Sequence, residues 1–172
     1  MEHKNPHIQL IDEYVNFMKE AKSVYISSIN EYGKPEISYS PCVVDDKKNT
    51  YIIVSDLSKR TSSLVQERDV SLMFIEPEDQ CKELYVRTRL LFDCSTVQIE
   101  RLSDTWNEQV TIFLKKFGDI IGVLTSLADF KMFSFKPLHG TYVKGFGKTY
   151  TINVGETQDH VWHMGLMTGE KM

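Results

Sequence analysis

Residues 24–54, VYISSINEYGKPEISYSPCVVDDKKNTYIIV, carry the pattern that decides the fold. Val24-Tyr25-Ile26-Ser27-Ser28-Ile29 reads as a strand, and Asn30-Glu31-Tyr32-Gly33-Lys34-Pro35 is turn chemistry. A second strand runs through Ile37-Ser38-Tyr39, and Asp45-Asp46-Lys47-Lys48-Asn49 makes the next loop. Tyr51-Ile52-Ile53-Val54 is a continuous apolar run, which predicts a strand buried on both faces. No linker interrupts this succession, so its strands belong to one folding unit.

Working outward, Ile8, Ile11, Val15 and Met18 fall on one stripe with Tyr14 and Phe17 beside it, the spacing of an amphipathic helix from Ile8 to Ala21. Downstream, Ser58 to Glu67 reads as a short helix with Ser58 as its N-cap and Leu57, Leu64 and Val65 facing inward. Val70 to Ile75 returns to strand. Leu84 to Ile99, rich in β-branched residues, reads as one long and bent strand. Arg101 to Phe117 restores helical spacing and Gly118 ends it. Short strands are expected at Phe130–Phe135, Thr141–Val143 and Lys148–Val154, with a helical turn in the tail after Glu156. About six antiparallel strands with peripheral helices make a mainly β, α+β protein. A small barrel suits that order, because the chain has neither a βαβ rhythm nor a G-x-G-x-x-G element.

The chain has 172 residues, 41% apolar and 26% charged, as in an ordinary globular domain. Its net charge of −4 lacks the basic footprint of a nucleic-acid binder. No apolar run approaches the roughly 20 residues of a membrane span, and the first ten residues lack a signal-peptide core. Cys42, Cys81 and Cys94 are widely spaced and odd in number, which fits neither a zinc knuckle nor a disulfide framework. The expectation is a cytoplasmic, single-domain protein with free thiols, binding neither nucleic acid nor membrane.

Four places carry chemistry. Ser58-Lys59-Arg60-Thr61 stands at a helix start, where free N–H groups and cations suit a phosphate or carboxylate; a cap followed by solvated cations is the plainer reading of these residues alone. Arg87 and Arg89 fall on one face of the expected long strand, which calls for solvent, a carboxylate partner or an anionic ligand. Asp129 precedes an aromatic strand, as a turn residue or as a functional acid. His160 and His163, three apart in the tail, can share a helical face, and imidazole is a common iron or zinc ligand; a surface tail with incidental histidines is the alternative. His139 reads as a turn residue. By themselves these residues define an anion-accepting small barrel.

Gly33-Lys34-Pro35 with Ser38-Tyr39-Ser40-Pro41, Val70 to Glu76, Arg89-Leu90-Leu91-Phe92-Asp93, Leu127-Ala128-Asp129-Phe130 with Phe133, and Tyr142-Val143-Lys144-Gly145-Phe146-Gly147 occur in an order that resembles a known family. From about residue 10 to 150 the chain is similar to the HugZ/HutZ-type haem-utilisation proteins, a branch of the pyridoxamine 5'-phosphate oxidase-like, FMN-binding split β-barrel superfamily. The resemblance implies a six-stranded antiparallel split barrel, residues 1–154, followed by a C-terminal ligand-binding tail, residues 155–172. It implies a homodimer with two ligand clefts at the interface. In flavin-binding relatives the positions of Ser58, Lys59, Arg60, Thr61, Arg87 and Arg89 hold the FMN phosphate. In the haem branch a C-terminal histidine binds the iron, an acid from the partner subunit stands at the Asp129 position and an arginine at the Arg89 position. The family's terminal Gly-His-Arg-like element corresponds here to Gly169-Glu170-Lys171, so the iron ligand falls to His163, with His160 second. The function implied is haem binding in iron acquisition, with oxidative haem degradation supported by an external electron donor. FMN-dependent oxidoreduction and haem carriage without turnover are the alternatives.

Overall fold

The computed structural model describes residues 6–58, 61, 64, 70–155 and 158–164. Helix α1 (Pro6–Glu20) leads into β1 (Ser23–Ile29), β2 (Pro35–Val44), β3 (Thr50–Ser55), β4 (Val70–Ile75) and β5 (Arg89–Ile99). Helices α2 (Asp104–Phe117) and α3 (Ile120–Ser126) follow, then β6 (Phe130–Val143), β7 (Thr149–Asn153) and β8 (His160–His163). The strands form one antiparallel sheet in the order β3-β2-β1-β4-β5-β6-β7-β8, and an additional β3–β6 pairing closes six of them into a barrel.

β6 makes the closure possible by serving two partners along one edge. Its first half, Phe130–Phe135, pairs with β3; its second half, His139–Val143, pairs with β7. Pro137 stands between the two ladders, opposite Cys94 of β5 and at the point where the β5–β6 register shifts between Asp93 and Cys94. The β1–β2 turn is set by Gly33 at φ 72° and by the Asn30 side chain, whose Oδ1 accepts from the Tyr32 and Lys34 amides at 3.0 and 2.9 Å.

Two apolar clusters explain the run Tyr51–Val54. Ile52 and Val54 point into the barrel with Val24, Ile26, Leu72, Phe74, Leu90, Phe92, Phe133 and Phe135. Tyr51 and Ile53 point outward, where α2 and α3 cover them with Trp106, Phe113 and Ile121. The strand is therefore buried on both faces, as its composition predicts. Tyr14 and Met18 are the fully buried residues of α1 and pack on the same interior cluster; each buried large apolar side chain contributes roughly 1.5–3 kcal/mol. α2 begins at Asp104, with the Ser103 hydroxyl accepting from the Trp106 amide at 3.2 Å, and ends at Gly118 with φ 79°.

The structure corrects several sequence expectations. β5 starts at Arg89, because β4 ends at Ile75 and offers no partner further back; Leu84–Val86 is a 3₁₀ turn instead. The three late β segments are two: one 14-residue β6, in which His139 is a strand residue bonded through Nδ1 to Asn153 Oδ1 at 2.7 Å, and β7. The tail turn expected as helix is the strand β8, paired with β7. Leu57 faces solvent rather than the core. Of the expected helix at Ser58–Glu67, Thr61 and Leu64 are helical and buried; Lys59, Arg60 and Val65 lie outside the described residues. No described helix is long and apolar enough to cross a membrane.

Candidate functional site

The candidate residues gather at two opposite ends of the barrel. At the first end, Asp129 occupies the turn between α3 and β6. Its Oδ2 accepts the Ser55 hydroxyl at 2.8 Å, and its carbonyl accepts the Asp56 amide at 2.7 Å. Thr61 Oγ1 donates to the Ser55 carbonyl at 2.8 Å, and the Thr61 amide donates to the Ser58 carbonyl at 2.9 Å, so the segment after β3 begins a helical turn against the Asp129 loop. Arg101 fixes that loop from the far side. Its guanidinium donates to the carbonyls of Thr125, Leu127 (3.1 Å) and Phe130 (3.2 Å) while lying 5.2 Å over the Trp106 ring. Lys131 and Asp56 add an ion pair at 2.7 Å.

At the second end, Arg89 opens β5 on the outer face of the sheet, half-buried, with Nη1 donating to the Arg87 carbonyl at 3.0 Å. Arg87 does not share that strand face. It ends the 3₁₀ turn, donates from Nε to the Glu76 carbonyl and pairs with Glu78 at 3.0 Å, so its charge is spent on holding the β4–β5 connection. Among the described residues Arg87 is ion-paired to Glu78, whereas the Arg89 guanidinium bonds to a backbone carbonyl.

His163 lies at this second end as well, since it pairs with Tyr150, Tyr150 with Tyr142 and Tyr142 with Leu90. Its Nε2 is 2.8 Å from the Gly147 carbonyl, and its ring meets Tyr150 edge-on at 5.2 Å. Donation from Nε2–H to that carbonyl leaves the Nδ1 lone pair for a metal, the arrangement in which ligating imidazoles are usually held. His163 lines a 250 Å³ cleft with Glu13, Lys144, Tyr150 and Val161. Glu13 is ion-paired to Lys144 and accepts from Tyr142, whose phenol is pushed up by burial and then by the Glu13 carboxylate.

Because β8 is a strand, residues three apart point to opposite faces. His160 and His163 therefore do not share a side: His160 lines an adjoining 300 Å³ cleft with Trp162, the two clefts meeting at His7 and Val161, while His163 shares its side with buried Val161. Trp162 is half exposed and does not anchor the segment; Val161 and Asp159, both buried, do. Among the described residues no group of three or more His, Cys, Asp or Glu side chains is placed to hold a metal ion.

Asp129 and His163 cannot meet within one protomer. Phe130, next to Asp129, is paired at the Ser55 end, and Met132 matches Ile99, whereas His163 is level with Leu90 at the start of β5. Along β6, Asp129 precedes Tyr142, the residue level with His163, by about 43 Å of strand path at 3.3 Å per residue. The cleft beside His163 is also smaller than the ~300–1,000 Å³ of ordinary ligand pockets. A site that uses both residues needs a second copy of the chain to bring them together. Arg101 and Ser55 were not singled out by sequence reasoning, because their partners are remote in the chain and no local spacing announces them; Asp159, which the sequence sets beside the tail histidines, is instead buried against Tyr14 and Lys48.

The pattern of the family described as Pyridoxamine 5'-phosphate oxidase matches residues 10–144. The chain is 32% identical over 153 residues to a protein named Heme oxygenase HutZ from Vibrio cholerae serotype O1, an alignment that spans 89% of this chain and 86% of that one. A crystal structure of HutZ, described as a haem storage protein of Vibrio cholerae, superposes with a TM-score of 0.72 at 33% identity, covering 79% of this chain and 95% of that one. The crystal structure of Campylobacter jejuni ChuZ gives a TM-score of 0.83 at 26% identity, covering 95% of this chain and 65% of that one.

Proposed function

Since the chain belongs to the pyridoxamine 5'-phosphate oxidase family, in its HutZ-type haem-utilisation branch, we propose that it binds haem in clefts formed between two copies of itself. One observation carries the reading: His163 and Arg89 stand at one end of the barrel and Asp129 at the other, so two protomers laid antiparallel bring each set against its complement. The outer face of the sheet supports the pairing. Tyr39, Tyr25, Met73 and Leu91 are cross-strand neighbours in one row over β2, β1, β4 and β5, with Ile37 beside them 73% exposed. A contiguous apolar row of this kind marks an interface, and an obligate one buries upwards of about 2,000 Å².

The residues fit the group. His163 presents Nδ1 as the iron ligand while the Gly147 carbonyl holds its tautomer. Arg89 meets a propionate or other anionic edge with the guanidinium hydrogens that do not face the Arg87 carbonyl. The partner's Asp129 faces the histidine and offers it a stronger acceptor than a carbonyl, which raises the basicity of the ring. Bound haem supplies the oxygen chemistry, and turnover to release iron draws on dioxygen and an external electron donor. Without such a donor the same site is a haem carrier. We place the protein in the cytoplasm, a reading supported by its three free cysteines.

A second reading, an FMN-binding oxidoreductase, is supported by the family and would use Ser58, Lys59, Arg60 and the partner's Arg89 for the phosphate, since the buried Thr61 spends its hydroxyl and amide on the Ser55 and Ser58 carbonyls. Absorption spectra separate the two. Under the haem reading, titration with haem gives a saturable Soret band at one equivalent per chain. Protein purified yellow, with the two broad near-ultraviolet and blue flavin bands and no saturable Soret band, overturns it in favour of FMN.

A further inference from the structure

The Asp159 side chain, in the C-terminal segment, is 1% exposed and held from three directions. The Tyr14 hydroxyl donates to Oδ2 from α1, 145 residues away in the chain. The Lys48 ammonium, from the β2–β3 turn, lies 2.8 and 2.9 Å from the two carboxylate oxygens, and the Gly155 amide donates to Oδ1 at 3.3 Å. Removing one member of such a pair leaves an uncompensated buried charge, so the members hold one another in place.

The turn that supplies Lys48 is built to do so. Asp45 accepts from the Asn49 amide, the Asn49 side chain and the Tyr51 hydroxyl at 2.8, 2.9 and 3.0 Å, and its carbonyl accepts from the Lys48 amide at 3.1 Å. These bonds hold Lys48 at φ 71°, a backbone conformation uncommon for a residue other than glycine, and its ammonium reaches Asp159 from there. β8 itself is slight. It has four residues, one sheet neighbour among the described residues, and one buried side chain, Val161. Short edge strands of this kind have little stability of their own. Asp159 immediately precedes β8, and His163 ends it.

We infer that the Asp159–Lys48–Tyr14 cluster is the anchor that fixes β8 in register on β7 and so positions His163 at the mouth of the cleft. The inference rests on the haem reading for the role of His163, but not for the anchoring itself. Asp159 is thus a positioning residue, acting through the strand it precedes.

Hydrogen exchange of the ligand-free protein tests the anchor without haem. In Asp159→Asn and, independently, Lys48→Met, the β8-segment amides that bond to β7 should exchange at least tenfold faster, Met164 among them, whose amide donates to the Thr149 carbonyl at 2.7 Å. Amides of β4 and β5 should keep their protection. Tyr14→Phe, which keeps the ion pair, should give a smaller effect confined to the same residues. Equal loss over the whole barrel, or unchanged protection of Met164 and the other β7-bonded amides of this segment in Lys48→Met, overturns the inference. If Asp159→Asn does not fold, Lys48→Met and Tyr14→Phe decide. With haem added, the anchor variants should lose the histidine-ligated spectrum, and free imidazole should restore it. A parent protein that never shows that spectrum sinks the haem reading and leaves the exchange result standing.

Discussion

The Ser55 hydroxyl donates to Asp129 Oδ2 at 2.8 Å, joining the last residue of β3 to the residue before β6 across 74 positions of sequence. The main chain repeats the link, Asp56 amide to Asp129 carbonyl at 2.7 Å. Asp129 is therefore a fixed carboxylate at the β3–β6 end of the barrel, with its backbone and one oxygen both committed. A carboxylate held this way is pre-organised for a partner arriving from outside the protomer, since little ordering entropy is left to lose.

Arg101 is the other half of that fixation. Arg101→Met removes charge-assisted bonds to three carbonyls and the stacking on Trp106, and should cost about 1–3 kcal/mol in urea unfolding. Arg101→Lys should recover only part of this, because one ammonium cannot span the carbonyls of Thr125, Leu127 and Phe130 as the planar fork does. An Arg101→Met protein as stable as the parent would mean that the loop is held by Ser55 and Asp56 alone.

The outer sheet face should be an interface between two copies. Ile37→Asp and Tyr25→Asp place charge in the apolar row and leave the barrel interior untouched, as both side chains point outward. Sedimentation should show the parent as a dimer at micromolar concentration and both variants as folded monomers. A monomeric parent removes the basis for shared clefts.

The cysteines give a test of the fold itself. Cys42 is buried beneath α1, and burial pushes its thiol up to about 12 despite the opposing Lys116 charge; burial also raises Cys94. Both thiols are protonated and inaccessible at pH 8, whereas Cys81 is partly exposed. A disulfide reagent at pH 8 should therefore titrate one thiol in the native protein and three in urea. Rapid reaction of all three in native buffer would contradict the barrel packing.

The strands of the first half were legible because their signals are local. The alternation in Val24–Ile29, the Asn30–Pro35 turn and the unbroken apolar run at Tyr51–Val54 each state a burial pattern that the structure repeats. What sequence could not show depends on remote partners. Leu84–Val86 has strand composition but lies beyond the end of β4, so it has nothing to pair with. The spacing of His160 and His163 suits a helix, yet β7 offers an edge that makes the segment a strand and turns the two rings apart. Arg87 and Arg89 look equivalent in sequence and are separated by Glu78, which only the folded β4–β5 connection brings to Arg87. Asp159 sits in an unremarkable tail until α1 and the β2–β3 turn close over it.

Arg89 should contact the anionic part of the ligand. Arg89→Ala should weaken ligand binding by roughly 1.5–3 kcal/mol, as expected for hydrogen bonds to a charged group. Arg87→Ala should act differently, loosening the loop that carries Glu76 and Glu78 with little change in ligand affinity. Titrations of the two variants side by side read the distinction. Equal affinity losses, or a loss of a few tenths of a kcal/mol at Arg89, would return Arg89 to a purely structural role.

The last prediction concerns the iron. His163 is favoured over His160 because it stands on the side of β8 that faces Tyr150 and Lys144, with Nε2 held by Gly147 and Nδ1 left to ligate. His160 faces the other side, beside Trp162. In the dimer the partner's Asp129 should take the Nε2–H from the Gly147 carbonyl, since a carboxylate is the stronger acceptor for a ring that donates charge to iron. His163→Ala should then abolish the histidine-ligated spectrum of the haem complex, and His160→Ala should leave it intact. Asp129→Asn should keep the ligand but alter the reaction with dioxygen. The double variant His163→Ala with Asp129→Asn should be no worse than His163→Ala alone, because the acid acts through the imidazole that is already gone. Additive losses would assign Asp129 a role apart from His163. Unchanged spectra in all three single variants would mean that the iron is held elsewhere, and the flavin reading would take precedence.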